Sequence, residues 1–284
     1  MADISDLKMT IVTNDPTKRY YYTLLFDDKY RVKIATRNIN IPGVQNFRDL
    51  GGYPSYSTKK QMRWGMIYRS AEIDSLECSS RRELKNLGIK TLIDLRASSE
   101  IGRQSPLQKG FHVVHIPLAT GDMEGILKGI REEKIKSDTV YRMVERMNRI
   151  LIDQYTKEYR QIFDILLDKN SYPVVIHCSS GKGRTGIVSA LVLAALGINE
   201  DIIMEDYRLS NDYFNIPSAS KDAYQLPARS QEAITTLFSA REDFLNAAKE
   251  EAECRYGDID TYLQKGIGLN KNEIKRLRSI LLSD

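Results

Sequence analysis

The run His177-Cys178-Ser179-Ser180-Gly181-Lys182-Gly183-Arg184-Thr185-Gly186 places an arginine six positions after a cysteine. A thiolate is a strong nucleophile. A guanidinium offers a planar fork that meets a phosphate with two parallel hydrogen bonds. Between the two lies a short loop with two glycines, whose backbone N–H groups can turn toward one point. An oxyanion held by the amides of Ser179, Ser180, Gly181, Lys182 and Gly183 would meet Arg184 and lie directly over Cys178. The same amides and Arg184 would favour the thiolate over the thiol. The spacing describes transfer of a phosphoryl group onto sulfur.

Two elements must position that loop. Pro173-Val174-Val175-Ile176 reads as a buried strand running into it. Ile187 to Leu196 reads as a buried helix running out of it and stopping at Gly197. A strand-to-helix loop is where an α/β protein binds anions, because loose amides and the positive end of the helix dipole share one spot. Other readings fit less well. A Walker nucleotide loop needs Gly at position 176 and Ser or Thr at 183, where this chain has Ile176 and Gly183. A rhodanese-type sulfurtransferase has a shorter loop, and a structural cysteine leaves Arg184 and the glycines unexplained.

Cys-x5-Arg with His before it and Thr-Gly after it resembles the phosphate loop of the protein tyrosine phosphatase superfamily. Asn46-Phe47-Arg48-Asp49-Leu50-Gly51-Gly52, Ile93-Asp94-Leu95-Arg96, Asp206-Tyr207-Arg208-Leu209-Ser210-Asn211 and a Tyr256-Gly257…Tyr262-Leu263 tail narrow the likeness. Together they are similar to the bacterial and fungal tyrosine and phosphoinositide phosphatases that include listerial and mycobacterial secreted enzymes. The resemblance runs from about residue 37 to the end. It implies an α/β fold, with a tyrosine-phosphatase-like central sheet flanked by helices and a helical C-terminal tail. It also implies a two-step reaction through a phosphocysteine on Cys178, with neither cofactor nor metal. Arg184 and the loop amides would stabilise the phosphoryl oxygens, Thr185 would hydrogen-bond the departing thiolate, and His177 would order the loop.

The proton donor is less plain. Listerial and mycobacterial relatives carry Asp directly before the loop Arg, where this chain has Gly183. Two candidates remain: Asp122, in the loop after a strand, and Asp94, at the end of a neighbouring strand. Asp122 is preferred, because Asp94 could instead hold Arg184 or Arg96. Charges at strand ends sit where open α/β sheets place ligands, so Asp94 and Arg96 are site candidates or a salt bridge fixing the loop. Arg48 and Asp49 form a structural ion pair or part of the phosphate surround. Asn211 orients a water or caps a helix. Lys182, a second cation in the loop, suggests a further phosphate nearby, as on an inositol ring.

Ahead of this region, residues 1–41 are expected to be a separate β extension, with residues 42–284 as the phosphatase domain. Tyr20 to Phe26 and Tyr30 to Ala35 flank Asp27-Asp28 and read as a hairpin. Alternating Tyr30, Val32 and Ile34 suit a half-buried strand, so packing is preferred over a binding face. Polar, Gly-rich residues 123–136 are expected to be a mobile lid, and Tyr141 to Leu167 one long helix. Charged residues are 28% and the net charge is +4, too little to call for nucleic acid or membrane. Cys78, Cys178 and Cys254 have no metal-ligand spacing and suit a reducing compartment. The start, Met1 to Asp6, has no basic or apolar leader, and no run is long enough to span a bilayer. Cytoplasmic is therefore the default, with secretion left open. The expected partner is a phosphorylated protein or phosphoinositide. Two rival functions stand beside phosphatase: a thiol redox enzyme of the arsenate-reductase kind, and a catalytically weak phosphate-binding module.

Overall fold

The computed structural model describes residues 10–13, 18–27, 29–73, 78–101 and 110–283. The expectations for Met1 to Asp6 and for Asp28 of the acidic turn lie outside them. Two compact units divide at Ala35/Thr36. In the first, β1 (Tyr22–Phe26) pairs antiparallel with β2 (Tyr30–Ile34). The alternating side chains of β2, expected to be half-buried, are exposed along the whole strand.

The second unit begins earlier than position 42 because residues 37–41 are tied to the Asn-Phe-Arg-Asp segment. Asn38 bridges Arg48, and the Arg37 guanidinium donates to the carbonyls of Asp49 and Gly51 at 2.7 and 2.8 Å. A mixed sheet forms its centre. Its strands are β3 (Arg48–Asp49), β6 (Ile67–Ser70), β9 (Val174–His177), β7 (Thr91–Asp94) and β8 (His112–His115), in that spatial order. Strands β6 to β9 of this sheet are parallel and β3 is antiparallel at the edge. A small antiparallel sheet of β4 (Pro54–Ser55), β5 (Lys60–Met62) and β10 (Leu282–Ser283) joins the two ends of the unit.

Alternation along β9 explains why both sheet faces are covered. Val174 and Ile176 enter one core with Ile67, Ile93, Leu166 and Leu191, while Val175 enters a second with Tyr68, Leu84 and Leu92. The first core is covered by α4 (Thr156–Leu167), α5 (Gly183–Ala195), α10 (Glu242–Tyr256) and α12 (Lys271–Leu281). The second lies under α1 (Cys78–Asn86). Apolar residues surround α5 on almost every side because the helix is buried all round.

Sequence expectations change in two places. The long helix divides into α3 (Ser137–Gln154) and α4, because Tyr155 leaves helical geometry (φ −113°, ψ 27°). The expected lid is α2 (Met123–Arg131) and its exit turn, with Ile126 and Ile130 packed on Ala233, Ile234 and Leu237 of α9 (Ala228–Phe238). Residues 228–256 likewise form two helices, α9 and α10. Between α5 and α9 run α6 (Glu200–Arg208), α7 (Ser210–Tyr213) and α8 (Ile216–Ala219), and α11 (Ile259–Thr261) precedes α12. Among the described residues, no helix is long and apolar enough to cross a membrane.

Candidate active site

Register places the candidate residues together. Ser70, His177, Asp94 and His115 are paired neighbours at the carboxyl ends of β6, β9, β7 and β8. The central strand, β9, delivers the loop 178–182, and α5 starts at Gly183. The carboxyl end of a parallel sheet is thus capped by one anion-binding turn.

Cys178 is 1% exposed. Burial pushes its thiol up, but the Arg184 charge, the Thr185 hydroxyl and the amides of Thr185 and Gly181 outweigh burial and hold it below its ordinary value. Thr185 Oγ1 is itself buried. Its effect on the thiol is that of a hydroxyl turned to sulfur. Gly181 has φ +66°, and a Cβ there would lie 2.3 Å from the Ser70 carbonyl oxygen, so the turn admits only glycine. At Gly183 a Cβ would meet nothing within 4 Å. The missing aspartate of the resemblance is therefore not excluded by packing.

Glu100, which the sequence reading did not single out, grips Arg184. Its two oxygens accept from Arg184 Nη1 and Nη2 at 2.6 and 2.7 Å, and Oε1 also accepts from Ser179 Oγ at 2.6 Å. Burial pushes the Glu100 carboxyl up, but the bonds from Arg184 overcome it and hold the group at about 2. Arg184 Nη1 also reaches the carbonyls of Leu95 and Leu118 at 3.4 Å each. The fork is fixed before substrate arrives, which is the condition for electrostatic catalysis without reorganisation. Glu100 closes a short 3₁₀ turn, Ser98–Glu100, far along the chain from Arg184.

Beneath the loop lies a buried network built from three of the motifs. Asp206 Oδ2 accepts from Arg69 Nη1 at 2.6 Å; Oδ1 accepts from Arg48 Nε at 3.3 Å and from Tyr53 Oη at 3.0 Å. Arg69 Nη2 donates to the Gly181 carbonyl at 2.7 Å. Asn46 Nδ2 donates to the carbonyls of Ser180 and Gly181 at 3.1 Å each, and Asn46 Oδ1 accepts from Arg48 Nη1. Holding loop carbonyls outward leaves the loop amides facing the anion seat. Arg48 pairs with Asp206 and not with Asp49, since neighbours on a strand point to opposite faces. Asp49 instead accepts from the amides of Gly51 and Gly65 at 2.7 Å each. Burial and the neighbouring Arg69 lower Arg48 to about 10, whereas Arg48, Arg69 and Arg37 override burial to bring Asp206 to about 2.

The remaining candidates separate. Asp94 is taken up by Arg96, whose Nε and Nη2 donate to its two oxygens at 3.0 and 2.7 Å, rather than by Arg184. Burial alone would raise Asp94, but Arg96 and His177 hold it below its ordinary value. His177 Nδ1 lies 3.9 Å from Asp94 Oδ1. Asp122 caps α2, its Oδ1 accepting from Gly125 N at 2.8 Å. Asn211 does not cap its helix; it exchanges two hydrogen bonds with the backbone of Ala240, at 3.1 and 2.7 Å. Lys182 is buried and donates to the Leu237 carbonyl at the end of α9 at 2.6 Å; burial lowers it to about 7. Among the described residues, no group of three or more His, Cys, Asp or Glu is placed to hold a metal ion.

Comparison with known proteins now bears on this geometry. A family model described as tyrosine phosphatase family matches residues 39–283. The chain belongs to the tyrosine phosphatase family. It is 30% identical to the triple specificity protein phosphatase PtpB of Mycobacterium tuberculosis, over 85% of this chain and 98% of that protein. A putative tyrosine-protein phosphatase of Cupriavidus necator, H16_A0669, is 26% identical over 82% of this chain and 85% of its own length. Among solved structures, P. aeruginosa TpbA aligns at 15% identity with a TM-score of 0.31, covering 62% of this chain and 89% of that one. This family chain is a cysteine-dependent phosphatase, as the loop chemistry led one to expect.

Proposed function

We propose that the chain hydrolyses phosphotyrosine through a phosphocysteine on Cys178. The observation that carries this reading is a buried thiol of lowered pKa at the foot of an arginine fork already fixed by Glu100. In the first step Cys178 Sγ attacks phosphorus in line and the phenolic oxygen leaves. In the second, water attacks phosphorus and the thiolate departs, with Thr185 donating to it. Arg184 and the loop amides take the equatorial oxygens in both transition states. Phosphoinositide monoesters are the second substrate class. They are favoured by a lysine within the loop and by the broad, triple specificity for which the mycobacterial relative is named. The burial of Lys182 and its bond to Leu237 support ranking phosphotyrosine ahead of them. Phosphate release from a phosphotyrosine peptide and a panel of phosphoinositides, with Cys178→Ser as control, is the test. Turnover on neither class would overturn the reading, and faster turnover on the lipids would reverse the order.

Asp122 is the proton donor in this reading. Asp94 has both oxygens on Arg96, whereas Asp122 keeps one oxygen exposed, in the loop after Leu118, whose carbonyl meets Arg184. Asp122→Asn keeps the helix cap, since Asn and Asp cap equally well. It removes the proton. The variant is expected to slow hydrolysis of an alkyl phosphate by ~10²-fold or more, and of an aryl phosphate with a good leaving group far less. Equal slowing of both would remove Asp122 from this role.

A further inference from the structure

We propose that the N-terminal hairpin is a docking surface for an anionic lipid bilayer. It lies in residues 1–35, ahead of the stretch that matches the family. The register puts most of its apolar side chains on one face, with Leu25 exposed on the other. Tyr22 pairs with Ile34, Leu24 with Val32 and Phe26 with Tyr30, so these six share one face. Thr23 with Lys33 and Leu25 with Arg31 form the other. The apolar face is open to solvent: Leu24 is 39%, Phe26 50%, Tyr30 62%, Val32 38% and Ile34 38% exposed. The face is aromatic and aliphatic throughout, and a two-stranded hairpin is marginal in water without something to cover it.

Size and charge choose the occupant. Five residues at ~3.4 Å and two strands ~4.8 Å apart give a face of about 160 Å². A stable protein interface takes about 20–30 residues a side, against the six on this face, so a second copy or another protein would be poorly held. A bilayer sets no such minimum. Between residues 18 and 34 the sequence carries Lys18, Arg19, Lys29, Arg31 and Lys33 against Asp27 and Asp28. Arg31 and Lys33 lie on β2, an edge of the two-stranded ribbon, with Lys33 Nζ 4.9 Å from the centre of the Tyr21 ring, and their long stems can bend round that edge to lipid headgroups. Tyr and Phe favour the bilayer interface, and each cation near an anionic leaflet adds attraction. The apolar side chains would enter the headgroup boundary while the cations pair with lipid phosphates and carboxylates.

The full chain is tested by flotation with phosphatidylcholine vesicles, with and without phosphatidylserine, so the result is independent of which monoester is cleaved. Wild type is expected to float with the phosphatidylserine vesicles, at least tenfold more than with neutral ones, and to be released by high salt. Leu24→Ser/Phe26→Ser/Tyr30→Ser and Lys29→Gln/Arg31→Gln/Lys33→Gln are each expected to lose that binding by at least tenfold, with turnover of a water-soluble aryl phosphate unchanged. Four results would overturn the proposal. Wild type could fail to float, or the variants could float like wild type. The serine variant could lose aryl phosphate turnover or melting temperature, which would assign the face to the catalytic unit. A wild-type dimer broken by the serine variant would assign it to a second copy.

Discussion

Asp206→Asn is expected to destabilise the chain by about 3–5 kcal/mol, the loss found when one partner of a buried ion cluster is removed. In a chain of this size that is a fall in melting temperature of roughly 5–10 °C. The substitution is nearly isosteric, so the effect reports charge and not volume. The Asp206 carboxylate faces Arg48 and Arg69, both essentially without solvent. An amide leaves two buried guanidiniums uncompensated. The pH dependence follows in sign. Asp206 is depressed to about 2 from 3.8, so its stabilisation is complete above about 3.8 and is lost as pH falls toward 2. Glu100, also brought to about 2, acts in the same direction over the same acid range. Urea denaturation at pH 7 and in acid measures both, and the Asn variant should lose part of the acid-range slope. A change under 1 kcal/mol at pH 7 would mean the network is not what supports the loop.

Arg184→Lys is expected to lower kcat/KM by ~10³-fold or more, the scale of an arginine that stabilises a phosphoryl transition state. The positive charge stays, but the planar fork goes. Lysine cannot grip both Glu100 oxygens in parallel and also offer paired donors to a phosphate. The thiol separates the two contributions. Because Cys178 responds mainly to charge, the pH profile of its alkylation by iodoacetamide should shift little in Arg184→Lys. In Arg184→Met it should move upward. Near-wild-type turnover in the lysine variant would show that charge alone suffices.

Much of the site was legible because its chemistry is local. Cys178, Arg184 and the intervening glycines lie within one turn, and the strand before and the helix after carry plain apolar patterns. The partners were not local. Glu100 meets Arg184 across 84 positions, and no periodicity marks such a pair. Arg48 and Asp49 invited pairing as neighbours, yet the strand rule that separates them was available from sequence. The segment expected to be a lid was read from its composition, which hid its helical form. Met123, Ile126 and Ile130 recur at helical spacing behind an aspartate cap, and that signal outweighs two glycines and scattered charge. Alternation in β2 was read correctly as a strand but wrongly as half-buried, because a pattern shows which residues share a face and not what covers it.

The most direct measurement is rapid acid quench of wild type turning over an aryl phosphate, followed by peptide mass spectrometry. The account predicts phosphate on Cys178, appearing within the first turnover and absent from Cys178→Ser, which should also lose hydrolysis. Continued hydrolysis with no phosphate on Cys178, or phosphate trapped on another residue, would contradict it.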